Sequence, residues 1–221
     1  MSRARASLPL LLAATALLLQ GGCTSNLLRS KVPAPETYRL GTTTGAEAAP
    51  SPATRASGLA LTVARPRAST ALETDRIAVV PGPSRFDYYS DVRWAEAAPQ
   101  MLQQNLVAAL EASGRYAGVF AAPARAPAEL LLDVELRHFE AVAASADATP
   151  AAFVQVQANL VDSRRAVRMV SFVSEARVPA ADNRRRSVVA AFEQANARVI
   201  ADVVARVGDA AAVPTAATPA Q

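Results

Sequence analysis

The feature that most narrows what this chain can fold into is a run of strict alternation. Leu130, Leu132, Val134 and Leu136 alternate with Leu131, Asp133, Glu135 and Arg137. Val154, Val156, Ala158 and Leu160 then alternate with Gln155, Gln157 and Asn159. A period of two belongs to a strand, whose successive side chains point to opposite faces. An Asp162 to Arg165 turn leads on to Val167, Met169, Ser171 and Val173, while Val170 and Phe172 form the opposite set, so the inward face of this third run stays open. The pattern predicts an antiparallel meander with one wet face.

A sheet wet on one side must hide the other, and two segments have the stripes to cover it. Met101, Leu102, Leu106, Ala109 and Leu110 recur at helical spacing after Trp94, with Pro99 tolerable only in the first turn and Gly114 as a C-terminal cap. Val188, Phe192, Ala195, Val199 and Val203 mark a second, longer helix expected to stop at Gly208. Shorter strand candidates are Thr37 to Leu40, Leu59 to Ala64, Arg76 to Val80 before Pro81 and Gly82, Phe86 to Tyr89, and Tyr116 to Phe120. The expected fold is α+β, a two-layer sandwich with a mainly antiparallel sheet covered by two amphipathic helices. Residues 36–208 would form it, with a flexible Thr-, Ala- and Pro-rich loop over 41–58 and a disordered tail over 209–221.

The beginning of the chain has a different logic. Arg3 and Arg5 precede an almost wholly apolar stretch from Leu8 to Leu19, and Gly21 and Gly22 stand before Cys23, the one cysteine. Basic, apolar and small regions in that order describe a secretory signal peptide over 1–22. Its apolar stretch falls short of the roughly 20 residues a permanent helix needs to cross a bilayer. The cysteine at the cleavage point resembles the lipobox of bacterial lipoproteins, although Gln20 stands where leucine is usual and Leu19 lies one position further away. Lipidation of Cys23 would anchor the chain through residues 23–35 as a tether, each buried acyl methylene adding about 0.8 kcal/mol of membrane affinity. Thr24 and Ser25 follow it with no aspartate, which resembles lipoproteins passed on to the outer membrane, facing the periplasm.

Chemistry is sparse. One cysteine excludes an internal disulfide, and one histidine, His138, excludes the usual metal-ligand sets; no metal or other cofactor is expected. Nucleophile elbows, glycine-rich phosphate loops and paired-cysteine motifs are missing, so no catalytic residues are assigned and the chain is not expected to be an enzyme. His138 and its neighbours Asp133, Glu135 and Glu140 fit a structural histidine beside a solvated charged face. The net charge of +4 includes two from Arg3 and Arg5. The one dense basic run, Arg184 to Arg186, sits ahead of a helix and fits a solvated cap, so no nucleic-acid partner is expected. The segment from Arg85 to Trp94 differs: it gathers Phe86, Tyr88, Tyr89 and Trp94 among Arg85, Asp87, Asp91 and Arg93. Such residues either pin a helix to the sheet or form a contact surface, where aromatic and arginine side chains are typical anchors.

A lipobox, a Tyr38-Arg39-Leu40 strand, Ile77 to Val80 closing in Pro81, a Tyr88 to Ala95 stretch with Arg93-Trp94-Ala95 opening a helix, and a Leu-rich strand before a polar meander together resemble the ABC-type transport auxiliary lipoproteins. The resemblance runs over roughly Tyr38 to Val207. It implies a non-enzymatic part of a lipid-transport system, docking or assembling with an MCE-family periplasmic protein and an ABC transporter, and it favours a homo-oligomer. Tyr88, Tyr89, Arg93 and Trp94 would then contribute to the partner surface or to the core beneath it. Two other readings share the anchor and the small domain: a periplasmic carrier holding an acyl chain between sheet and helices, and a lipoprotein of outer-membrane assembly.

Overall fold

The structure is a computed structural model that describes residues 34–41, 58–124, 127–145 and 147–212. The signal peptide, Cys23 and its tether up to residue 33, most of the 41–58 loop and residues 213–221 of the tail lie outside the described residues. In chain order the elements are β1 (Glu36–Tyr38), β2 (Ala60–Val63), β3 (Arg67–Ala68), β4 (Arg76–Pro81), β5 (Asp87–Trp94), α1 (Ala98–Ala112), β6 (Gly118–Ala121), β7 (Leu130–Ala143), β8 (Ala151–Asp162), β9 (Val167–Pro179) and α2 (Arg185–Ala212).

The chain is α+β, as its alternating and helical periods predict. Its sheet is mixed, which corrects the expectation of a mainly antiparallel one. The meander is there: β7 pairs antiparallel with β8, and β8 with β9. Along its other edge β7 takes three short strands in succession, all parallel: β2 at Leu61↔Leu130, β3 at Arg67↔Glu135 and β4 at Ala78↔Glu140. Beyond β2 lies β6, also parallel; beyond β4 lies β5, antiparallel, and then β1, parallel to β5. Alternation identifies a strand without naming its neighbour. Hairpins report direction through their turns, whereas strands joined by long crossovers do not.

Two register shifts decide which side chains enter the core. In β7, Leu130, Leu132, Val134 and Leu136 face inward, and an irregularity between Leu136 and His138 resets the alternation so that Phe139, Ala141 and Ala143 continue on the buried side. In β9, after a shift opposite Leu160 and Val161, the inward set is Phe172, Ser174, Ala176 and Val178, while Ser171 and Val173 face out.

Both helices bury their predicted stripes. Helix α2 packs Val188, Phe192, Ala195, Val199, Val203 and Val207 away from solvent. Each fully buried Val or Phe contributes about 1.5–3 kcal/mol relative to exposure. Helix α1 begins one residue before Pro99 and ends before Gly114, whose φ of +63° is the left-handed conformation that terminates a helix at little cost for glycine. Two boundaries depart from expectation. Trp94 closes β5 and does not open a helix. Helix α2 does not stop at Gly208 but runs on to Ala212, taking in the first residues of the expected tail. Gly208 has a close neighbour: a Cβ on it would lie 2.0 Å from Arg115 Nη1, so the Arg115 side chain, paired with Asp209 at 3.3 Å, would have to move aside for any larger residue.

No helix among the described residues is long and apolar enough to cross a membrane.

Candidate functional site

The aromatic and charged segment singled out in the sequence is β5, and alternation along it sends its side chains in two directions. Tyr89 and Asp91 meet the start of α2. The Arg185 guanidinium lies 4.1 Å from the Tyr89 ring centroid, and its Nε donates to Asp91 Oδ1 at 2.9 Å. The hydrogen bond from Arg185 holds the Asp91 carboxyl below its ordinary range, and burial pushes the Tyr89 phenol up. One member of the Arg184 to Arg186 run is therefore a clamp between helix and sheet, and nothing in the local sequence joins it to residues more than ninety positions away.

Tyr88 faces the other way. Its hydroxyl donates to the Ala71 carbonyl at 2.8 Å, Phe86 meets its ring edge-on at 5.5 Å, and the Arg76 guanidinium lies 4.1 Å from its centroid. Asp87 accepts from the Tyr88 N–H at 2.8 Å and from Arg85 at 2.7 Å, and these bonds hold its carboxyl low. Beyond an irregular stretch of β5, Arg93 is exposed and pairs with Asp75 at 3.6 Å. Trp94 is core, 1 % exposed, edge-on to Phe192 of α2 at 5.3 Å and to Phe139 of β7 at 5.8 Å. Phe139 and Phe192 also touch, at 5.1 Å, so three rings lock β5, β7 and α2 together.

Register extends the Tyr88 side across the sheet. Tyr88 is opposite Ala78, Ala78 opposite Glu140, Glu140 opposite Phe153, and Phe153 opposite Arg177, one residue from each of β5, β4, β7, β8 and β9. Registered partners share a face. Phe139, next to Glu140, points at α2, so this row runs along the face away from that helix. Arg177 lies over the Phe153 ring at 4.6 Å. His138 joins the row beside the β7 irregularity, its ring 4.7 Å from that of Phe153 and its Nδ1 2.6 Å from Glu140 Oε1; the other Glu140 oxygen accepts the Phe139 N–H at 2.7 Å. Glu140 is 6 % exposed, so the carboxylate is an anchored partner for a half-exposed imidazole. Arg76, Phe153 and Arg177 were invisible as site residues in the sequence because only the register brings them beside Tyr88.

Farther along the same face, Asp133 joins a polar ladder, accepting from Arg67 at 2.9 Å, with Asn159, Ser171 and Gln157 linked beyond it. Glu135 pairs with Arg137 at 3.4 Å. No group of three or more His, Cys, Asp or Glu among the described residues is arranged to hold a metal ion.

The family model of the ABC-type transport auxiliary lipoprotein component matches residues 38–204, three quarters of the chain, taking in the last residue of β1, every strand from β2 to β9 and most of α2. The chain belongs to this family of ABC-type transport auxiliary lipoproteins. No curated protein matches it. Among solved structures it is similar to protein XCC0632 from Xanthomonas campestris, at 28% identity and a TM-score of 0.70, over 79% of this chain and 95% of that one. An uncharacterized protein of known structure shares the fold at 14% identity and a TM-score of 0.61, over 79% of this chain and 99% of that one.

Proposed function

We propose that this family member is an outer-membrane-anchored periplasmic lipoprotein that docks or assembles a lipid-transport system, with an MCE-family periplasmic protein and an ABC transporter as partners. Cys23 carries the acyl anchor. The chain works as a homo-oligomer and by contact, without catalysis. Its contact surface is built on β5: Tyr88 and Arg93 reach the partner, Tyr89 holds the segment to α2, and Trp94 fixes it from the core beneath. The row from Tyr88 to Arg177 continues that surface across the sheet.

The observation that carries this reading is the family match together with a segment in which aromatic and arginine side chains sit half-exposed on a rigid support. Interfaces draw their affinity from such anchors, because a side chain already held in place loses little entropy on binding. A photo-crosslinking residue in place of Tyr88, in cells, should capture an MCE-family protein, and Arg93→Glu should lower the yield. The same residue at Gln194, on the solvent side of α2, should not capture it. Capture of an outer-membrane barrel protein alone from position 88 would overturn the partner assignment. Cys23→Ser should release the chain from the membrane fraction; retention there would refute the anchor.

A further inference from the structure

Helix α1 carries two buried side-chain amides with opposite fates. Gln103 is 7 % exposed, and its Nε2 donates to the carbonyls of Val63 at 3.0 Å and Ala122 at 3.1 Å, tying the helix to the β2 and β6 side of the sheet. Asn105, two residues on, is 5 % exposed, and its Nδ2 has no acceptor among the described residues. A buried donor left without an acceptor is destabilising, and most such groups in proteins find a partner. Asn105 lines a cleft of about 140 Å³ whose other walls are Arg39, Leu40, Ala95, Glu96, Met101 and Gln104. The cleft lies between the chain leaving β1 and the β5–α1 connection, which the bond from the Ala95 N–H to the Tyr38 carbonyl holds together at 2.6 Å.

The polar lining is unbalanced. Glu96, the one carboxylate, already accepts from Gln104 Nε2 at 2.8 Å. Arg39 is exposed and pairs with no carboxylate among the described residues. Among the described residues the cleft therefore offers two donors without a partner, the Asn105 amide and the Arg39 guanidinium, above an apolar lining of Leu40, Ala95 and Met101. Its volume is close to that of cavities that hold a group of about six heavy atoms. The geometry points to a binding pocket for a carboxylate: the acidic side chain of a partner protein, its oxygens bridging Asn105 Nδ2 and Arg39 and its methylenes resting on Leu40 and Met101. A charged acceptor between an amide and a guanidinium makes the stronger class of hydrogen bond. The assignment stands whether or not Tyr88 and Arg93 contact an MCE-family protein, since it concerns a different set of side chains.

The test uses the full chain in detergent, following the Asn105 side-chain amide resonance by NMR. The titrants are N-acetyl-glutamate α-methylamide, whose only charge is the side-chain carboxylate, then acetate, then sodium chloride at matched ionic strength. Both carboxylates should shift the resonance saturably, with apparent Kd values of about a millimolar, as expected for so few atoms. Arg39→Gln should weaken both about tenfold. Asn105→Leu should unfold at the same or a higher temperature than the parent chain and lose its stabilisation by added carboxylate. A resonance that neither carboxylate moves, or that chloride moves equally, overturns the pocket. So does an Asn105→Leu chain that melts several degrees lower, since the amide would then have a structural partner. A response to acetate but not to the blocked glutamate overturns the assignment to a protein side chain.

Discussion

The meander β7–β8–β9 and the short-strand side β1–β6 share one sheet but are held by different means. In the meander each strand is 12 to 14 residues long and pairs with the next in sequence across a turn, so most of its contacts are local. On the other side most strands have six residues or fewer, most pairings are parallel, and neighbours are far apart in the chain, as when Glu36 meets Val92 or Leu61 meets Leu130. Local pairing costs little loop-closure entropy, whereas distant parallel pairing has to be fastened by side chains at a few points. Trp94, Arg185 and Arg115 are three such fasteners. The candidate contact surface straddles both regions, so a partner docking on the proposed surface would sit where the sheet depends most on tertiary fastening.

That contrast can be broken experimentally, and the largest effect should come from Trp94→Ala. Removing a buried indole costs about 3–5 kcal/mol. Thermal unfolding should show that loss, and hydrogen exchange should speed up in β1, β4 and β5 more than in β8. Equal acceleration in β8 would mean that the two regions open as one. A smaller net effect, about 1 kcal/mol, is expected of Gly208→Ala, because the methyl group must displace the Arg115 side chain where α2 meets the chain leaving α1, while the better helix propensity of alanine offsets part of that cost. Denaturant titration would measure it, and Arg115→Ala in the same background should recover most of the loss.

Arg185→Ala removes a cation–π contact and an exposed ion pair, together about 1 kcal/mol. Hydrogen exchange should report it as fraying of the first turns of α2. The smallest effect concerns acid. Asp91 has a carboxyl held low in the folded chain by Arg185, so its contribution is complete above its unfolded value of about 3.9 and disappears as the pH falls through the lower folded value. Asp91→Asn should therefore be slightly less stable near neutrality and flatten the acid limb of a stability–pH curve. An unchanged acid limb would show that Arg185 is held by Tyr89 alone.

The same contrast explains how much could be read in advance. The β7 and β8 faces, the stripes of both helices, the cap at Gly114 and the first-turn place of Pro99 follow from side-chain period and backbone chemistry within a few residues of each other. The third strand resisted because a register shift opposite Leu160 and Val161 changes which set points inward, and an irregularity cancels an alternation argument beyond it. Gly208 misled because glycine ends helices and also admits close neighbours, and its neighbour is Arg115. Of the four β5 residues marked in advance, Trp94 proved to be core and Tyr89 part of the helix clamp, with Tyr88 and Arg93 toward solvent. The order of residues along β5 could not sort them, because its register with β4 shifts between Arg76 and Ala78.

What the sequence determined by itself is both helices, most of the strands, the buried faces of β7, β8 and the two helices, and the family to which the chain belongs, since each rests on the pattern of side chains along the chain. The tertiary structure alone decided the parallel placement of the short strands, the row from Tyr88 to Arg177 and the unpaired Asn105 amide beside Arg39. Those depend on which distant segments become neighbours, and that choice is made by the packing of all the buried surfaces at once, at positions where no local pattern distinguishes one partner from another.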